Sequence, residues 1–167
     1  MLIDLQPLAD WLSATRLSMF VGAHEWVWPT CETLHFIGLA LLIGNIGLLD
    51  LRMLGVEKGL PFAPLNWFMQ WAVIGFVINL LTGIVLFVGT PEQYIHNIAF
   101  GFKVLFILLA GVNVLVFYAS GVYRCVESLQ PGEDAPLLAK IIAGMSLLLW
   151  VGVMYMGRML PYIGNSF

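Results

Sequence analysis

The reading of the chain turns on residues 29–54, PTCETLHFIGLALLIGNIGLLDLRML. This stretch is apolar from Thr33 to Leu49 and closed by Asp50 and Arg52. At ~1.5 Å of rise per residue it is long enough to cross a hydrocarbon core of ~30 Å, which predicts a transmembrane helix. Within it stand Glu32, His35 and Asn45. A polar or ionisable side chain inside a span faces protein or water instead of acyl chains, so these residues are the first candidates for function.

Composition assigns the class independently. Of 167 residues 60% are hydrophobic and 10% charged, and the mean hydropathy is +0.93. Such a chain cannot cover itself with a polar surface in water, so it is read as an integral membrane protein in contact with the lipid bilayer. The formal charge of -3 is thinly spread, without a basic run. That excludes nucleic acid as a partner. Cys31 and Cys125 fall at opposite membrane faces, too far apart for a disulfide, and neither has metal-ligand spacing.

Outward from the first span, residues 1–28 lack the basic start and long apolar run of a cleaved signal and are expected to stay in the mature protein. Leu5, Leu8, Leu12 and Met19 recur at roughly helical spacing, with Asp4, Asp10, Ser13 and Arg16 elsewhere. The pattern predicts an amphipathic helix over about 5–20 lying in the interface, with Trp11, Trp26 and Trp28 as an aromatic belt. Gly55, Glu57, Lys58, Gly59, Pro61 and Pro64 mark a connection. Further spans are predicted over about 67–89, 98–123 and 137–158, separated by the loop EQYIHN and the turn QPGEDAP. The fold class is therefore all-α, a single-domain transmembrane four-helix bundle with an interfacial N-terminal helix. Four spans put both termini on one side. Arg52, Lys58, Arg124 and Lys140 outnumber Arg16, Lys103 and Arg158, which predicts periplasmic termini in a bacterial inner membrane.

Helical spacing places His35, Gly38, Leu42, Asn45 and Leu49 on one seam, and His96, Ala99, Lys103, Phe106, Ala110, Asn113 and Phe117 on another. Glu32, His35, His96, Lys103 and Arg158 then converge near one leaflet. Asn45, Asn79 and Asn113 lie mid-span, where amides are expected to bond between helices. Each member of the outer cluster also has a structural role open to it. Glu32 and Lys103 would make an ion pair joining two helices, Arg158 would snorkel to head groups, and His96 would cap the third span. A buried, unpaired His35 would cost ~2 kcal/mol or more, so it needs a partner.

Three chemistries compete for His35. It could be an axial ligand of b-type haem, with His96 or Met154 as the second ligand and Lys103 and Arg158 on the propionates. His96 sits at the mouth of the third span, whereas Met154, a turn below Arg158, matches the depth of His35 better. The pair Glu32–His35 has an E-x-x-H spacing found doubled in di-iron bundles, but only one copy is present. The last option is a quinone or lipid head-group pocket. No nucleophile and base stand at a workable spacing, so independent catalysis is not expected.

The segments VWPTCETLHFIGLALLIGNIGLLDLRMLG (27–55), YIHNIAFGFKVLFILLAGVNVLVF (94–117) and SLLLWVGVMYMGR (146–158) resemble a family of short, uncharacterised bacterial four-helix integral membrane proteins. The family is loosely similar in layout to small membrane cytochromes b and copper-resistance membrane proteins. This resemblance implies that Glu32, His35, His96, Lys103 and Arg158 belong to the family pattern. Where members often carry a histidine after the third span's V-F, this chain has Tyr118, so a second, inner haem is not expected. The leading expectation is a b-haem electron-transfer or anchor subunit. The alternative is a cofactor-free accessory subunit of a respiratory or photosynthetic assembly, with other membrane or periplasmic subunits as partners.

Overall fold

The structure, a computed structural model, describes residues 5–56, 58–62 and 65–163, with the side chains of residues 65 and 66 left aside. Asp4, Glu57 and Pro64 lie outside the described residues. The chain is all-helical among them: α1 (Gln6–Ser13), α2 (Arg16–Ala23), α3 (Val27–Leu54), α4 (Leu65–Gly89), α5 (Pro91–Ile95), α6 (Ile98–Ala119), α7 (Val122–Glu127) and α8 (Leu137–Met159). Four helices, α3, α4, α6 and α8, are long and apolar enough to cross a membrane.

The ends of these helices follow from local chemistry. Pro29 sits in the first turn of α3, where its missing N–H removes no helical bond. At the other end Gly55 takes φ 89°, and Val56 N–H bonds back to the Leu51 carbonyl at 3.1 Å. Asn97 caps α6, its Oδ1 accepting from Ala99 N at 2.9 Å and Phe100 N at 3.3 Å. Its Nδ2 donates to the Leu160 carbonyl at 2.9 Å, which ties the start of α6 to the end of α8.

Three boundaries differ from the sequence reading. The single amphipathic helix over 5–20 is two helices, because Thr15 turns extended, accepts from Ser18 N and caps α2. The third span stops at Ala119, since Gly121 at φ 74° turns the chain into α7. The 90–97 loop holds a helical turn that Pro91 opens.

The four long helices do not form a closed square. α3 packs most extensively on α4 and also on α8, while α8 packs on α6. α4 and α6 therefore end an arc and do not pack along their lengths. α1 and α2 lie across α4 and α5 at the end of the bundle where α3 and α6 begin and α4 and α8 finish, called the terminal face below. Leu8, Trp11, Met19, Phe20 and Trp26 remain exposed there and suit an interface.

The packed core fills the centre and the opposite, loop face. One cluster gathers Met53, Phe62, Phe117, Val126, Ala139 and Ile142, and a second Leu42, Ala72, Ala110, Leu149, Trp150 and Val153. Asp50 and Arg52, expected to close the span at the surface, are buried instead, at 2% and 0% exposure. Arg52 Nε donates to the Leu60 carbonyl at 2.7 Å and both terminal nitrogens to the Glu133 carbonyl at 3.3 Å. Its guanidinium lies 4.4 Å from the Phe62 ring centroid. One cation thus latches two connections over the loop face.

Close approach of α3 to α4 depends on two glycines. A Cβ on Gly75 would lie 2.6 Å from both Gly38 O and Leu42 N, and one on Gly38 would lie 2.9 Å from Gly75 O. Only glycine lets the two backbones meet this way. That contact fixes the spacing across which the site is built.

Candidate functional site: a cavity at the terminal face

Between the α3–α4 and α6–α8 pairs opens a cavity of about 920 Å³. α3 contributes Glu32 and His35, α4 Asn79 and Gly83, α6 Lys103, and α8 Met154 and Arg158. Aromatic and aliphatic side chains, among them Phe36, Phe76, Leu80, Ile107 and Trp150, make the remaining walls. Phe87 and Phe100 stack at 5.4 Å with Tyr94 against both rings, joining α4, α5 and α6 at the terminal end.

His35 is held across the α3–α4 interface. Its Nδ1 lies 2.8 Å from Thr82 Oγ1, and Thr82 Oγ1 donates its single proton to the Ile78 carbonyl at 2.7 Å. With its proton on that carbonyl the hydroxyl accepts at His35, the arrangement in which Nδ1 carries the hydrogen and donates it to Thr82. Nε2 is left as a bare lone pair. The ring passes over Gly83, where even an added Cβ would be 3.6 Å from Cε1.

Lys103 and Arg158 enter from the other helix pair. The Lys103 side chain lies against Gly157, where an added Cβ would be in ordinary contact with Nζ at 3.7 Å and Cε at 3.8 Å. Arg158 lies 5.6 Å from the Tyr162 ring centroid, outside the deepest part of the cavity. The ion pairs among the described residues join Asp134 to Lys58 and Lys140. Glu32 and Lys103 share the cavity without pairing within 4 Å, contrary to the expected salt bridge. Glu32 makes itself felt at Tyr94, whose phenol is pushed up by burial and then by this carboxylate.

The remaining candidates separate. His96 points away from the cavity, its Nε2 3.3 Å from Gln6 Oε1 on α1, so it is not brought to His35. Met154 is on the cavity wall. Among the mid-span amides, Asn113 bonds between helices as expected, Nδ2 donating to the Ile142 carbonyl at 3.0 Å. Asn45 and Asn79 do not: each donates to the carbonyl four residues back in its own helix, Leu41 and Gly75. Asn79 keeps a buried Oδ1 without a partner. Among the described residues no three His, Cys, Asp or Glu side chains gather around one point, so Glu32 and His35 gain no further ligand for a bare metal ion.

Two residues of the site went unnoticed in the sequence. Thr82 is the lone hydroxyl in residues 67–89, a signal that was present, and Gly157 directly precedes Arg158. Comparison of the chain with models of known families, with curated proteins and with solved structures finds no match.

Proposed function

We propose that the protein binds b-type haem in the terminal-face cavity and serves as a membrane electron-transfer or anchoring subunit, with His35 as the residue that would hold the iron. The observation that carries this reading is the His35–Thr82 hydrogen bond. Imidazoles that ligate metals donate their other ring N–H to a fixed acceptor, which sets the tautomer and the ring plane. Here Nδ1 is so committed and Nε2 is free. The cavity is within the ~300–1,000 Å³ usual for small-molecule sites and apolar over most of its wall.

In this role Lys103 and Arg158 would hold the propionates, and Met154 would be the second axial candidate, since His96 is turned to α1. Bound there, the group supplies one-electron chemistry whose potential its ligands tune. The protein orients the imidazole through Thr82 and lines the cavity with aromatic walls that would exclude water, and Lys103 and Arg158 would hold the group's anionic side. Arg52 and Lys103 are both held inside the protein, so Lys58, Arg124 and Lys140 weigh against Arg16 and Arg158. That balance supports periplasmic termini in a bacterial inner membrane and an electron partner on that side.

Titrating haemin into the detergent-solubilised protein tests the reading. A Soret band should grow to one equivalent, and Thr82→Val should weaken binding about 10–100-fold while keeping the band's position. A wild-type protein that develops no such band overturns it. A cofactor-free accessory subunit would then be the reading to pursue, with His35→Ala altering assembly alone.

A further inference from the structure

We propose that the cavity, when no haem fills it, accepts an anionic phospholipid from the surrounding leaflet as an alternative occupant, entering sideways between α4 and α6 and seating its phosphodiester between Lys103 and Arg158. The entry is a property of the arc. α4 and α6 meet through the Phe87–Phe100 stack at the terminal end and do not pack along the rest of their length. Below the stack the cavity is bordered by Leu80 and Ile84 on α4 and Val104 on α6, all exposed. A gap flanked by apolar side chains within a span opens on acyl chains.

The seat is a matter of charge and depth. Lys103 lies ~9 Å along the helix axis below Asn97, and Arg158 is in the last turn of α8. The Lys103 side chain rises from that depth to put Nζ beside Gly157, next to Arg158 at the end of α8, and long basic side chains so placed reach toward phosphates. Among the described residues neither has a carboxylate within 4 Å. With Glu32 counted, the cavity carries two cations against one anion, an excess that one phosphodiester neutralises. A neutral phosphocholine head group brings its own cation and leaves the excess in place. The apolar walls suit acyl chains, which a free phosphate does not have.

The test offers purified, haem-free protein equal amounts of phosphatidylglycerol and phosphatidylcholine in vesicles, then reads retained lipid by native mass spectrometry. Wild type should keep phosphatidylglycerol, and inorganic phosphate should not displace it. Lys103→Met with Arg158→Gln should cut that retention about tenfold or more, toward the phosphatidylcholine level. Gly44→Leu is the second variant. Gly44 is on the cavity wall with no atom within 4 Å of an added Cβ, so leucine narrows the apolar part of the cavity without touching either cation and should lower the retention of both lipids alike. Equal retention of the two lipids by wild type, displacement by phosphate, or full retention by either variant overturns the proposal. The two readings fail separately: a protein that takes up no haem but keeps phosphatidylglycerol sinks the prosthetic-group reading alone, and a haem-binding protein whose haem-free form is indifferent to lipid sinks this one alone.

Discussion

Gly75→Ala puts the α3–α4 contact under a defined load. The new Cβ would sit 2.6 Å from two backbone atoms of α3, Gly38 O and Leu42 N, and 3.0 Å from Leu41 Cβ. Backbone cannot swing aside as a side-chain tip can, so the helices must part by nearly an ångström to restore an ordinary van der Waals contact. Overpacking of this kind costs ~1–3 kcal/mol, against which alanine's better helix propensity returns at most ~1 kcal/mol. A net loss of ~1–2 kcal/mol is expected. Thr82 lies two turns along the same face of α4, and its 2.8 Å bond to His35 would stretch past hydrogen-bond range under the same separation. Thermal unfolding in a mild detergent checks the first consequence, and the protection of the His35 imidazole N–H from exchange checks the second. Gly47→Ala is the control, since nothing lies within 4 Å of a Cβ there; it should be neutral or slightly stabilising. A Gly75→Ala protein as stable as wild type, with the imidazole proton still protected, would refute the role given to this contact.

Two other outcomes follow from the charges. Glu32→Gln and Lys103→Met should show additive effects on stability in a double-mutant cycle, within the few tenths of a kcal/mol expected of uncoupled sites, because no ion pair joins them; a strong coupling term would contradict the geometry. At the loop face, hydrogen bonds from Lys140 and then Lys58 hold the exposed Asp134 carboxyl below the usual carboxylate range. A depressed folded value stabilises above the ordinary carboxylate pKa and is lost as pH falls through the folded one. Hydrogen exchange at Gly132, whose N–H donates to the Lys58 carbonyl at 2.7 Å, should therefore stay unchanged around neutrality, after allowance for the intrinsic rate, and quicken only in acid. Quickening near neutral pH would argue against this tie.

Much of this fold was legible because its strongest signals are one-dimensional. Long apolar runs announce spans whatever they pack against, and helical rise alone places Glu32, His35, Lys103, Met154 and Arg158 toward one end of the bundle. What rise does not report is rotation and partnership. His96 stands at the mouth of α6, and the short helix α5 and the cap at Asn97 turn it toward Gln6. Thr82 drew no notice because a lone hydroxyl in an apolar span can be satisfied by its own helix, as it is through Ile78, yet the same oxygen also meets His35. Arg52 counted as a face charge because it ends an apolar run; two loop carbonyls and the Phe62 ring, all brought there by the fold, make its burial possible. The breaks at Thr15 and Gly121 were visible as residue types, but periodicity runs straight through both.

The central claim, that His35 presents Nε2 to a prosthetic group in the terminal-face cavity, is tested most directly by a reduced-minus-oxidised visible spectrum of protein purified from haem-replete cells. Wild type should show the Soret and α bands of a b-type haem, His96→Ala should leave them unchanged, and His35→Ala should abolish or shift them. A colourless wild type, or a His35→Ala protein with the wild-type spectrum, would contradict it.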